Sequence, residues 1–182
     1  MDSRLISLVD QNARVLEQLG ALVAKTSPEC FAAVVDPRNG GSMGQHVRHV
    51  IEHADAVLGR AGGRVDYNDR ARDRQTETEP AEAKARLERL IIVLWDMSQG
   101  SAVDERVLVR HVVEGEEGEE DMMIESTLAR ELVYLQSHTV HHMALIALLA
   151  EQHSIPVESD FGVAASTLRY RAHIGESTQV SA

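Results

Sequence analysis

Ser42-Met43-Gly44-Gln45-His46-Val47-Arg48-His49-Val50-Ile51-Glu52-His53-Ala54-Asp55-Ala56-Val57-Leu58 is the stretch on which the fold turns. Ser42 followed three residues later by Gln45 fits a capping box, in which the hydroxyl and the side-chain amide each satisfy a free N–H at a helix start. A helix is predicted from about Met43 to Leu58, stopped by Gly59 and the Gly62-Gly63 pair. At about 3.6 residues per turn, His46, His49 and His53 share one face of it.

Working outward, Leu5, Leu8, Val9, Ala13, Leu16, Leu19 and Val23 recur at three and four, which predicts an earlier amphipathic helix from Ser3 to about Lys25. Pro28 and the run Asp36-Pro37-Arg38-Asn39-Gly40-Gly41 break that period and leave room for no more than a short helical turn between them. Residues 61–79 are charged and lack an apolar stripe, so they read as a long crossover. Pro80 suits a first helical turn, and Ala83, Leu87, Leu90, Ile91, Leu94 and Trp95 carry a third long helix towards Gly100. Arg106 to Val113 alternates loosely and is followed by the acidic stretch Glu114 to Asp121 and by Met122-Met123-Ile124, which predicts a β-hairpin. Thr127 is a good N-cap for a fourth long helix reaching about Gln152, before Pro156.

The expected fold is therefore all-α: a four-helix bundle with one long crossover, plus a small hairpin decorating one end. One domain is expected over residues 1–170, with 171–182 as a tail. Composition agrees, because a chain of 182 residues that is 43% hydrophobic but 3% aromatic draws its core from Ala, Val, Leu and Ile. A net charge of -11, from 18 basic against 29 acidic residues, opposes binding to nucleic acid or to an anionic membrane surface. Cys30 is the only cysteine, which excludes an internal disulfide and a Cys-rich zinc module and suits a reducing compartment. Charge interrupts the apolar residues of the N-terminus, and no apolar run approaches membrane-spanning length, so a cytoplasmic location is expected.

Six of the nine histidines fall in two windows, the helix quoted above and Ser137-His138-Thr139-Val140-His141-His142. His138 and His142 at i and i+4 stack one turn apart and can reach one ion, whereas His141 is turned about 100° away from His142. Burying several imidazoles without a shared partner costs about 1–3 kcal/mol per unsatisfied group, and a bound ion removes that cost. Imidazole-only ligation suits zinc, nickel, copper or ferrous iron, and three protein ligands leave a position open to water or substrate. The metalloprotease pattern H-E-x-x-H is absent. Of the remaining candidates, Cys30 reads as a packed side chain, His111 and His153 as surface residues, and His173 lies in the tail. Asp66, Tyr67, Arg70 and Arg74 are candidates to cap the bundle mouth, although a charged crossover loop needs no such role, and the acidic run from Glu116 to Asp121 reads as a solvated turn.

Ser42 to His49 and Ser137 to Ile146, together with Asp66-Tyr67-Asn68-Asp69-Arg70-Ala71-Arg72-Asp73 and Asp160 to Tyr170, resemble the DinB-like superfamily over most of the chain. The resemblance implies a tri-histidine metal site, carried here by His49, His138 and His142, with His46 and His53 standing one turn to either side of the first. It implies a divalent transition metal such as zinc, nickel or iron, and homodimers among relatives. It also implies, in some relatives, transfer reactions of a low-molecular-weight thiol. On that reading the thiol is held as its thiolate, and His53 or His141 accepts the proton. A metal-dependent hydrolase and a non-catalytic metal-binding or stress-related protein are the alternatives.

Overall fold

The computed structural model describes residues 2–35, 41–115 and 118–179. Helix α1 spans Ser3–Val23, α2 Pro28–Ala32, α3 Met43–Leu58, α4 Arg74–Thr78, α5 Pro80–Gly100, α6 Leu128–Gln152 and α7 Ala165–Gln179. Strands β1 (Arg64–Asp66), β2 (Arg106–Gly115) and β3 (Gly118–Thr127) form one sheet in the order β1-β2-β3. The breaker at residues 36–40 and the tip of the acidic turn, Glu116 and Glu117, lie outside the described residues.

The local signals at the long helices act as read. The Ser42 hydroxyl accepts from the Gln45 N–H while the Gln45 side chain accepts from the Ser42 N–H, so the capping box is complete. Pro80 stands in the first turn of α5, and the Thr127 hydroxyl accepts from Arg130 N–H at the start of α6. Helix α1 packs on α5 and α6, and α3 packs on the same two from its own side. Leu16, Val50, Ile51, Leu87, Leu94, Leu132 and Leu135 are among the buried residues that join into one cluster between them.

The all-α expectation is overturned, because the described residues form a mixture of seven α-helices and a three-stranded mixed sheet rather than a bundle with a small hairpin. β1 runs parallel to β2 in the register Arg64↔Leu108, Val65↔Val109 and Asp66↔Arg110. β2 and β3 pair antiparallel from Arg106↔Thr127 to Gly115↔Gly118. A three-residue strand is too short to display a period of two, so nothing in the charged crossover announced β1 except Val65, which is fully buried. The crossover also contains α4, whose Asp73 N-cap accepts from Gln75 N–H.

The sheet is fastened rather than appended. Arg110 on β2 binds Asp66 on β1 at 3.0 Å and Asp121 on β3 at 2.6 Å, so one guanidinium spans all three strands. Helix α4 sits directly against the start of α3: a Cβ on Gly44 would lie 1.9 Å from the carbonyl oxygen of Glu77. Gly44 is therefore required by close backbone approach, with Gln45 donating to Glu77 at 3.1 Å and Arg48 pairing with Glu77 at 3.1 Å. These contacts bring the crossover down over the histidine face of α3.

Candidate metal centre

Helices α3 and α6 face each other with their histidines between them. One ring nitrogen from each of His49, His53 and His138 lies within 4.8 Å of the other two. The ring centroids are 4.2 Å apart for His49 and His53, 4.1 Å for His53 and His138, and 5.0 Å for His49 and His138. His142 stands next to this group, 4.6 Å from His49 and 4.5 Å from His138 by centroid, and its Nδ1 is 3.0 Å from Nδ1 of His46.

Hydrogen bonds fix how some of these rings present themselves. The His53 Nδ1 is 2.9 Å from the main-chain oxygen of His49, which can only accept, so Nδ1 carries the proton and Nε2 keeps its lone pair. His49 is the reverse case: the Arg70 guanidinium, which can only donate, bonds to His49 Nδ1. His138 has its Nε2 enclosed with no hydrogen-bond partner among the described residues. A buried, orphaned imidazole nitrogen on a ring packed among other imidazoles is unfavourable for folding by itself and suited to a shared ligand.

The environment keeps these rings neutral. Burial, then the neighbouring His53, His142 and His138, holds the His49 pKa down at about 3. Burial, with His53, His141 and Arg70 adding to it, takes His138 to about 4, and burial followed by His138 and His46 takes His142 to about 3. His53 is lowered as well, again chiefly by burial. Neutral imidazole is the form that ligates a metal.

A cavity of about 690 Å³ opens beside the cluster, with His49 and His53 in its lining. Tyr67 and Tyr134, in edge contact, form an aromatic part of its wall, Val109 and Ile124 of the sheet also line it, and Arg70 links the lining to His49. The hairpin expected to decorate one end thus supplies part of a pocket wall. Tyr67 stacks on His53 at 5.3 Å, and Tyr134 stacks on His138 at 5.5 Å, so the wall also positions two of the rings.

The residues singled out from sequence divide clearly in space. His46, His49, His53, His138 and His142 come together, while His141 is exposed and meets only the ring of His142, at 5.3 Å, among its ring contacts. His111 is exposed on the sheet and His153 is half-buried at the end of α6. Cys30 is half-buried against the core. Tyr67 and Arg70 reach the site, Asp66 serves the sheet through Arg110, and Arg74 is exposed in the first turn of α4.

Two acidic residues at the site were not singled out. Glu131 is fully buried and accepts from Tyr67 at 2.5 Å, Ser126 at 2.5 Å and Arg130 at 2.9 Å. Its signal was present, since it stands three residues after Leu128 and four before Leu135, on the face where an apolar residue belongs. Glu52 is also buried, with Arg48 and Arg70 each 3.9 Å away and neither carboxylate oxygen hydrogen-bonded among the described residues. Its spacing of four from Arg48 was the available signal.

No protein-family model, no curated protein and no solved structure matches this chain. No helix among the described residues is long and apolar enough to cross a membrane.

Proposed function

We propose that this protein holds one divalent transition-metal ion on His49, His53 and His138 and activates a small molecule at the side of the ion facing the cavity. The observation that carries the reading is the convergence of those three neutral, partly or fully buried imidazoles, their nitrogens within 4.8 Å of one another, with His49 and His53 also lining a cavity of about 690 Å³. Zinc, nickel and iron all suit an all-imidazole donor set. His53 is prepared for ligation by its bond to the His49 carbonyl, the kind of outer partner that fixes the tautomer of metal-binding histidines. The orphaned Nε2 of His138 gains a partner, and His142 is engaged with His46 beside the triad.

When bound, such an ion supplies Lewis acidity and lowers the pKa of a coordinated thiol or water. The chain itself contributes an aromatic wall from Tyr67 and Tyr134 that shields one side of the cluster, and neutral rings that need lose no proton to ligate. Transfer of a low-molecular-weight thiol, implied by the resemblance of the two histidine motifs, is our favoured chemistry within this reading. A reducing compartment, suggested by the lone Cys30, accords with it.

The test is metal content. Protein purified without chelator, stripped, and then titrated with zinc should take up one equivalent with a competition-measured Kd below about 1 μM, and His138→Ala should take up none at that concentration. Uptake well under one equivalent by the wild-type chain with zinc, nickel and iron alike would end the proposal.

A further inference from the structure

A neutral imidazole has one lone pair, because its other nitrogen carries hydrogen. In this structure the lone pair of His49 is committed to Arg70 through Nδ1, so the His49 Nε2 bears the proton. Ligation of an ion by His49 and acceptance of the Arg70 hydrogen bond therefore exclude each other, whichever nitrogen binds. Ligation through Nδ1 displaces the guanidinium, and ligation through Nε2 moves the proton to Nδ1 and turns acceptor into donor. Either way Arg70 is left with a donor to place, in addition to an Nε already without a partner among the described residues.

Few groups nearby can take those donors. The Glu52 carboxylate is 3.9 Å from the Arg70 Nη1, beyond hydrogen-bond distance, and it also faces Arg48. The other two guanidiniums of the cavity lining are already bound to carboxylates: Arg110 to Asp66 and Asp121, and Arg130 to Glu131. Arg70 alone among the three has no carboxylate within hydrogen-bond distance, and it stands where the cavity meets the histidines.

We propose that Arg70 is the carboxylate-binding residue of this centre, so that the small molecule it takes carries a carboxylate beside the group that reaches the ion. A planar fork of N–H donors matches the two oxygens of a carboxylate, and a pair made away from bulk water is stronger than one at the surface. A singly charged anion fits better than a phosphate dianion, because one guanidinium is available and Glu125 and Glu131 also line the cavity. This rests on the metal reading, and it adds the substrate class.

The experiment uses cobalt-loaded full-length protein and two hydroxamates of equal length, butanohydroxamate and succinate monohydroxamate, followed by the visible spectrum of the cobalt. The wild-type chain should bind the carboxylate-bearing probe about tenfold or more tighter than the other. In Arg70→Met that preference should fall to within about twofold, and Arg70→Lys, which keeps the charge without the fork, should retain part of it. Arg70→Met should also load cobalt at least as tightly as wild type, since the guanidinium no longer competes for His49. Should Arg70→Met fail to fold, the wild-type comparison and Arg70→Lys decide. Wild-type protein that loads cobalt yet binds both probes equally overturns the carboxylate assignment alone, as does a preference that survives in Arg70→Met. Protein that takes up no cobalt overturns the metal centre and this proposal with it.

Discussion

The Nδ1 of His53 lies 2.9 Å from the main-chain oxygen of His49, one helical turn earlier on α3. That single bond decides which nitrogen of His53 carries hydrogen and leaves the other with its lone pair, on a ring grouped with His49 and His138. On the proposed reading His53 serves as a ligand, where the sequence-based expectation made it a proton acceptor. His142 is held in a similar way, its Nδ1 3.0 Å from Nδ1 of His46, so the two rings differ in what engages Nδ1 and not in whether it is engaged.

Removing each ring separates the two ligand sets. His53→Ala should abolish stoichiometric zinc binding at micromolar concentration, whereas His142→Ala should weaken it by about 10–100-fold, as loss of an outer partner does. Competition titration against a chromogenic chelator gives both values. The opposite ranking would restore the set His49, His138 and His142 that the motif resemblance implies.

The lowered histidine pKa values make the metal-free protein acid-sensitive. His49 at about 3, His138 at about 4 and His142 at about 3 all lie below the ordinary value of 6.5. Between those values the unfolded chain binds more protons than the folded one, so stability rises with pH there. It is fully present above about pH 6.5 and is lost progressively as pH falls towards about 3. Thermal unfolding in the presence of a chelator should show Tm dropping steeply from pH 7 to pH 5. His138→Ala should flatten that slope, and a slope unchanged by the substitution would show that other groups control it.

Different kinds of order left different traces in the sequence. Helix α3 was legible to its ends because Ser42, Gln45 and Gly59 each act locally, within one turn. The pairing of α3 with α6 was legible because histidines are rare on core faces and here occur on two. The parallel pairing of β1 with β2 was not, since it joins residues more than forty positions apart, Val65 with Val109, through a strand of three residues. Helix α7 also went unread: Ala165 to Gln179 has no apolar stripe, and Tyr170 and Ile174 are exposed. Arg70 was singled out only in company with Asp66, Tyr67 and Arg74, and its bond to His49 was not legible because it joins a charged loop to α3 across 21 positions.

Glu131 provides a test of how the cavity wall is held. Its carboxylate is fully buried and accepts from Tyr67, Ser126 and Arg130, while burial and Glu131 together hold the Tyr67 hydroxyl above the usual phenol range and so protonated as the donor. Tyr67→Phe keeps the ring that stacks on His53 and deletes only the hydroxyl, leaving one Glu131 oxygen without its partner. Leaving a buried acceptor unsatisfied costs about 1–3 kcal/mol. For a chain of this size that corresponds to a fall in Tm of roughly 2–10 °C. Zinc stoichiometry should stay at one, because the three rings proposed to ligate are untouched. Differential scanning calorimetry and zinc titration of the same preparation measure both effects. A Tm within 1 °C or so of wild type would mean that this hydroxyl does not hold Glu131 in place. A loss of zinc alongside an unchanged Tm would place the Tyr67 oxygen in the metal centre itself.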